Sequence, residues 1–431
     1  MSTTTTSIAS TNRPRYVTFD SSGNLFVSNY LDNTITKFVL NEDGTVNSST
    51  IFSDINIIAP MGIAFNSQGD LFVVNSEART FTRIKFSENG SVLSSQVFYV
   101  ESLIRPIDLA FNSQDELFIS SYYNSWITKV TFKGDGTINT NNVIVSSNLN
   151  HPYGITFNVN GDLFVANNAS GTINQIKFNE NGSVASNNVI VSGLRTNPTL
   201  SFGEGGINGL AFNLDGELFV SNRLIPAQIT KITFEEDGSV ATVTEYFITS
   251  PLIDGPIGLA FNSQNVLFLA NYSNQTITKT VILKENTIYV APEFDKTFGN
   301  VPFNINATST NTNYDLEQLQ YSTSDDSVAI VNSDGLVTLV SPGHATIIIE
   351  QAEGSGYAYA VAYTEIIVRP SVINNPTVLT NQYEFDYFMD TTAEYAQLTI
   401  DVQLTSELIA YTEKTLLSNG TIVNIVKVEP G

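Results

Sequence analysis

A chain of 431 residues is long enough for two or three domains that each bury a core. Its 19 Lys and Arg against 42 Asp and Glu leave a formal charge of −23, which excludes the basic, phosphate-neutralising surfaces that nucleic acid or an anionic membrane requires. It has no cysteine, so disulfides, thiolate chemistry and cysteine-based zinc sites are excluded as well.

The opening stretch MSTTTTSIAS has neither a basic n-region nor an apolar h-region, so no secretory signal peptide is visible. No later run approaches the ~18 apolar residues that a membrane-spanning helix needs. From residue 19 a repeat begins. Phe19, Phe65, Phe111, Phe157, Phe212 and Phe261 head six segments spaced 46, 46, 46, 55 and 49 residues apart. Each segment has a short apolar run ending on that Phe, a polar turn, and a second apolar run such as Leu71-Phe72-Val73-Val74. A third run alternates, as in Ile127-Thr128-Lys129-Val130-Thr131-Phe132, the pattern of a half-buried strand. Gly44, Gly90, Gly136, Gly182 and Gly238 close the next tight turn, where a hairpin needs positive φ. A fourth run follows, Val97-Phe98-Tyr99-Val100 in one copy. Four antiparallel strands per repeat that cannot bury both faces alone predict blades stacked radially, a six-bladed β-propeller over residues 1–283. Thr5 to Ile8 fall where a fourth strand is missing from blade six, so the N-terminal segment is expected to close it; the competing reading gives that role to Thr287 to Ala291.

The segments resemble the NHL and SMP-30-like repeat families, with His151-Pro152-Tyr153-Gly154-Ile155-Thr156-Phe157 and Gly161-Asp162-Leu163-Phe164-Val165 fitting well. That resemblance implies a propeller and leaves function open, because such propellers serve many purposes. Its lactonase and lyase members bind a divalent metal over the channel through one or two carboxylates with Asn or His. Asp108, which replaces the glycine of Gly62, Gly154, Gly209 and Gly258, is the residue here that the resemblance would use. Tyr16 is the other departure in that slot.

From about Lys284 the pattern changes to short strands at 8–12-residue spacing, which suggests a β-sandwich. Ser324-Asp325-Asp326-Ser327-Val328-Ala329, Gly335-Leu336-Val337-Thr338 and Gly343-His344-Ala345-Thr346-Ile347-Ile348-Ile349 resemble bacterial Ig-like domains, implying a spacer module over residues 284–369. Residues 370–431 read as a small C-terminal β-rich segment, small for independent stability, with self-association or anchoring as its expected role.

In a propeller, the loops joining strands two and three share a face with the blade-to-blade connections. That face carries Tyr30, Arg79, Tyr122, Tyr123, Trp126, Arg223 and Tyr272, with Phe202 in the long connection before blade five and Asp108 near the channel mouth. Exposed aromatics and Arg on a rigid scaffold favour recognition of sugars or proteins. Asn29, Asn75, Asn167, Asn222 and Asn271 recur at the end of strand two, which argues for a structural role. His151 and His344 lie apart from any nucleophile or carboxylate set, so no catalytic residue and no metal ligand set is assigned. The expectation is a non-enzymatic recognition or structural protein on a cell or virion surface, its propeller head on an Ig-like stalk, binding a glycan or protein partner without cofactor. A divalent cation at the channel mouth is the one cofactor left open. Two alternatives stand beside it: a metal-dependent lactonase- or lyase-like enzyme centred on Asp108, and a self-assembling structural subunit.

Overall fold

The computed structural model describes residues 2–53, 56–196, 206–313, 317–354, 356–370, 377–379, 395–398, 414–418 and 421–425. Phe202 lies outside the described residues. The chain divides into two compact units, Thr3–Ile282 and a unit made mostly of the residues from Leu283 on. No helix of the described residues is long and apolar enough to cross a membrane.

The first unit is an all-β propeller of six four-stranded antiparallel sheets. Its inner strands are Pro14–Phe19, Pro60–Phe65, Pro106–Phe111, Pro152–Phe157, Ile207–Phe212 and Pro256–Phe261. Each inner strand touches the next, and the sixth returns to the first. In five of the sheets the four strands follow one another in sequence; in the sixth, the outer strand is Ser2–Ser10, laid against Thr276–Leu283. Thr5 meets Thr280 through their hydroxyls at 3.0 Å, the Thr11 N–H donates to Gln275 at 3.0 Å, and Ile8 and Ala9 pack on the cluster around Phe268.

The phenylalanines that mark the repeat explain how blades adhere. Each one closing an inner strand meets edge-on the Phe of the second strand in the preceding blade. The pairs are Phe26–Phe65, Phe72–Phe111, Phe118–Phe157, Phe164–Phe212, Phe219–Phe261 and, across the closure, Phe268–Phe19. Their centroids lie 4.9 to 5.1 Å apart. Such edge-to-face pairs add roughly 0.5–1.5 kcal/mol each beyond the area they bury. Polar stitches cross every other junction between adjacent blades: Ser28, Ser120 and Ser221 donate from the second strand to the carbonyls of Met61, Tyr153 and Ile257 at 2.7, 2.7 and 2.6 Å.

The recurring asparagines also have a structural task. Asn29, Asn75 and Asn271 each donate to two threonine hydroxyls at the start of the third strand, at 2.8 to 3.4 Å, and Asn167 donates to Thr172 and Asn174 in the same way. Asn222 donates to the Arg195 carbonyl at 3.0 Å.

In the second unit, Glu293–Thr297, Ala360–Arg369, Gly343–Gln351 and Gln320–Thr323 form one sheet, with the first two strands parallel. Phe303–Asn304, Leu336–Leu339 and Ala329–Val331 form a second. Their apolar faces supply a core that includes Ile305, Val337, Ile347, Ile349 and Ile366. Four further strands, Thr377–Leu379, Tyr395–Leu398, Lys414–Ser418 and Thr421–Ile425, pair in that order as another sheet.

Candidate functional site: the mouth of the propeller channel

Pairing of Pro14 with Asn29, and of Asn29 with Thr34, puts the start of each inner strand, the end of the second strand and the following loop at one end of the blade. Three layers of side chains are stacked there. The deepest is the third position of the inner strands: Tyr16, Gly62, Asp108, Gly154, Gly209 and Gly258. Glycine is required by close approach. A Cβ on Gly258 would lie 2.5 Å from the Cα of Tyr16, and one on Gly62 would lie 2.6 Å from the Cα of Asp108. The two side chains in this layer are therefore admitted by bare backbone in the neighbouring blade.

The second layer is the preceding position: Arg15, Met61, Ile107, Tyr153, Asn208 and Ile257, all buried. The third is the first residue of each strand-two to strand-three loop: Tyr30, Ser76, Tyr122, Asn168, Arg223 and Tyr272. Each donates its N–H to the carbonyl of the residue before an inner strand, namely Arg13, Ala59, Arg105, His151, Gly206 and Gly255, at 3.0 to 3.4 Å. Those six bonds aim the loop side chains around one opening.

On one side of the opening the guanidinium of Arg15 lies between two tyrosine rings, 4.5 Å from the Tyr30 centroid and 4.1 Å from that of Tyr272. Arg223 stacks on Tyr272 at 4.3 Å, and Arg13 donates to its hydroxyl at 3.0 Å. Tyr30 donates to Glu77 at 2.9 Å, and Glu77 also pairs with Arg105. Arg13 and Arg105 both hold left-handed backbone, φ 52° and 57°, as do Ala59, His151 and Gly255 at the same place in other blades, so this conformation belongs to the turn between blades. On the other side Tyr122 packs on His151 at 4.5 Å and edge-on to Tyr153 at 6.2 Å.

Beneath them, Asp108 is 5% exposed. Its Oδ1 accepts from its neighbour Leu109 N–H at 2.9 Å, and its Oδ2 from Ile155 N–H of the next blade at 3.0 Å. Burial pushes the carboxyl up to about 8, against the pull of those two bonds. Burial, and after it the Asp108 charge, raises the Tyr16 hydroxyl well above its ordinary range. That hydroxyl is buried without a hydrogen-bond partner among the described residues.

Of the residues expected on this face, Tyr30, Tyr122, Arg223 and Tyr272 converge on the opening, with Asp108 below. Tyr123 stands at the rim, 59% exposed and edge-on to Tyr122. Trp126 instead opens a strand, paired in register with Ser121, and Arg79 is exposed on the loop of blade two. Tyr16, the other departure in the innermost slot, belongs to the cluster, as do Arg13, Arg15, Arg105 and Tyr153, which the repeat did not mark. The signal for Arg15 was present: a guanidinium in a slot that is otherwise apolar in four of six blades.

A divalent metal, implied by resemblance to the lactonases and lyases, does not fit this donor set. Asp108 is the one carboxylate of its layer, and the layer above holds Arg15 in place of a second. Among the described residues no three His, Asp or Glu side chains gather to hold an ion.

No family model and no curated protein matches the sequence. Solved structures of similar build include a virginiamycin B lyase from Staphylococcus aureus (16% identity, TM-score 0.44, 63% of this chain and 80% of that one). Others are a gluconolactonase from Xanthomonas campestris (15%, 0.49, 64% and 88%) and the PQQ domain of a pyranose dehydrogenase from Coprinopsis cinerea (12%, 0.48, 64% and 95%). The expectation of a non-enzymatic recognition or structural head, leaning against an enzyme, is corrected on this finding, since these neighbours are enzymes. Among the expected recognition residues, Tyr122 and Asp108 are buried at the opening. At this level of identity the likeness speaks to fold and hands the chain no substrate.

Proposed function

We propose that the propeller is an enzyme that transfers a proton at the mouth of its channel, in an elimination or a ring-opening hydrolysis, with Asp108 as the proton-holding group. One observation carries this reading. A lone carboxyl in the innermost layer is kept by burial in the range where it holds a proton at neutral pH, beside the unpartnered Tyr16 hydroxyl that responds to its charge. Groups shifted this way by burial cluster at sites of acid–base chemistry, where a pKa near the working pH serves both directions of transfer. Ionised Asp108 would take a proton from the carbon or water that reacts; its neutral form would return one to the leaving oxygen. Both N–H donors hold the carboxyl in one orientation throughout.

The test is a panel of lactones and of β-substituted acids and esters, assayed with the wild-type protein and with Asp108→Asn. Turnover that drops roughly 100- to 10,000-fold in the variant, the usual worth of a general acid–base group, supports the reading. Unchanged turnover in Asp108→Asn overturns it, as does the absence of turnover across the whole panel.

For the second unit we propose an Ig-like module. Two facing sheets and a first strand that runs parallel to the last, Glu293–Thr297 beside Ala360–Arg369, support it.

A further inference from the structure

Four partly or fully buried cations of the propeller each face a carboxylate. Lys231, 6% exposed, meets Glu217 at 2.9 Å, and Lys129 meets Glu116 at 2.7 Å. Lys37 faces Asp20 at 3.8 Å, and Arg83 faces Asp70 at 3.9 Å. All four occupy the same slot of the third strand, one per blade. Arg15 breaks the rule. It is 5% exposed, sits where other blades carry Met61, Ile107, Tyr153 and Ile257, and has no carboxylate partner among the described residues. Its Nε is buried without a hydrogen-bond acceptor among the described residues.

The two tyrosine faces at 4.1 and 4.5 Å account for part of the burial, since stacking over a ring stabilises a guanidinium. They cannot account for the rest. Ring faces touch the plane of the guanidinium, whereas its N–H donors point outward from the edge, and a buried charge left without an acceptor is strongly unfavourable. What satisfies such an edge is a planar oxyanion accepting in a fork. The surroundings fit the same chemistry. Arg13 and Arg223 crowd the same tyrosine, Tyr272, so that guanidinium groups from blades one and five reach one ring of blade six. In a chain with a net charge of −23, such a cluster of guanidinium groups on one face runs against the overall field.

We propose that this cluster binds a small organic carboxylate, with Arg15 as its buried anchor, Arg13 and Arg223 beside it, and the apolar body of the ligand against the tyrosine faces. That the bound molecule is the substrate rests on the acid–base reading given above; that the site takes a carboxylate does not.

Calorimetric titration of the full chain with benzoate, acetate, inorganic phosphate and benzamide tests it. Saturable binding of benzoate, weaker binding of acetate, and no binding of benzamide are expected. Arg15→Met should weaken benzoate roughly 10- to 100-fold, the worth of a lost charge-assisted hydrogen bond, and Arg223→Gln should weaken it as well. Because Arg15→Met replaces an unpaired buried charge with an apolar side chain, it should melt no lower than wild type when no ligand is present. If that variant fails to fold, Arg15→Lys, which keeps the charge and loses the fork, supplies the same comparison. Benzoate binding unchanged in the Arg15 variant, phosphate or benzamide binding as tightly as benzoate, or no carboxylate binding, each overturns the proposal. The two readings fail separately. Asp108→Asn that still binds benzoate but turns over at the wild-type rate sinks only the acid–base reading; Asp108-dependent turnover without carboxylate binding sinks only this one.

Discussion

Replacing Asp108 with Asn should make the propeller more stable, by an amount that depends on pH. In the folded protein this carboxyl titrates at about 8, whereas its ordinary value is 3.8. Between these values the folded state holds a proton that the unfolded chain has released. Stability therefore falls as pH rises through the window, which is opposite to the usual carboxylate case. Each pH unit is worth about 1.4 kcal/mol, so burying Asp108 costs about 4 kcal/mol at pH 7 and nothing near pH 4. The asparagine escapes that cost. It can accept only one of the two N–H bonds, however, and turns its own NH₂ on the other donor, a loss of about 1–2 kcal/mol. The variant should then be less stable than wild type near pH 4.5, cross it at about pH 5, and be more stable by roughly 2–3 kcal/mol at pH 7. The protein has one tryptophan, Trp126, and it lies in the propeller, so urea unfolding followed by tryptophan emission reports this unit alone. A stability difference that stays flat between pH 5 and 7.5, or that moves in favour of the wild type as pH rises, would refute the argument. Gained stability with lost turnover is also what a functional group held against its preference predicts.

Removing residues 2–10 deletes the outer strand of the sixth sheet and uncovers Thr280 and part of the cluster around Phe268. Melting followed by tryptophan emission should show a large drop; a truncated protein melting within a few degrees of the full chain would contradict the closure. Gly258→Ala places a methyl group 2.5 Å from the Cα of Tyr16, where the obstacle is backbone and cannot rotate away. It should destabilise by about 2 kcal/mol or more in the same assay, whereas Gly23→Ala, with open space around it, should lose only what its positive φ costs.

The blades were legible because their marks are local. Alternating strands, a glycine at the turn and a terminal Phe recur at a spacing that leaves one reading. Even the edge-on Phe pairs follow from that spacing, since every blade presents the same ring to the next. The mouth was less legible because it is assembled from departures, and a departure gains meaning only from what faces it. Asp108 stood out against glycine, yet its service to two backbone N–H groups depends on Ile155, 47 residues away. Arg15 departed from a mostly apolar slot, yet what it does depends on Tyr30 and Tyr272 of two blades, which close on it. Trp126 attracted notice by its rarity and sits at the start of a strand.

The closing strand has a mechanical consequence. As residue number rises from Thr5 to Thr11, its partner falls from Thr280 to Gln275, so the strand runs antiparallel to its neighbour, with the chain entering beside the point where it leaves for the second unit. A pull between those two ends would load the hydrogen bonds one after another, like the teeth of a zip, rather than all at once in shear. The ring would thus yield at the seam under small force, before any blade unravels, and would reseal once the tension is released.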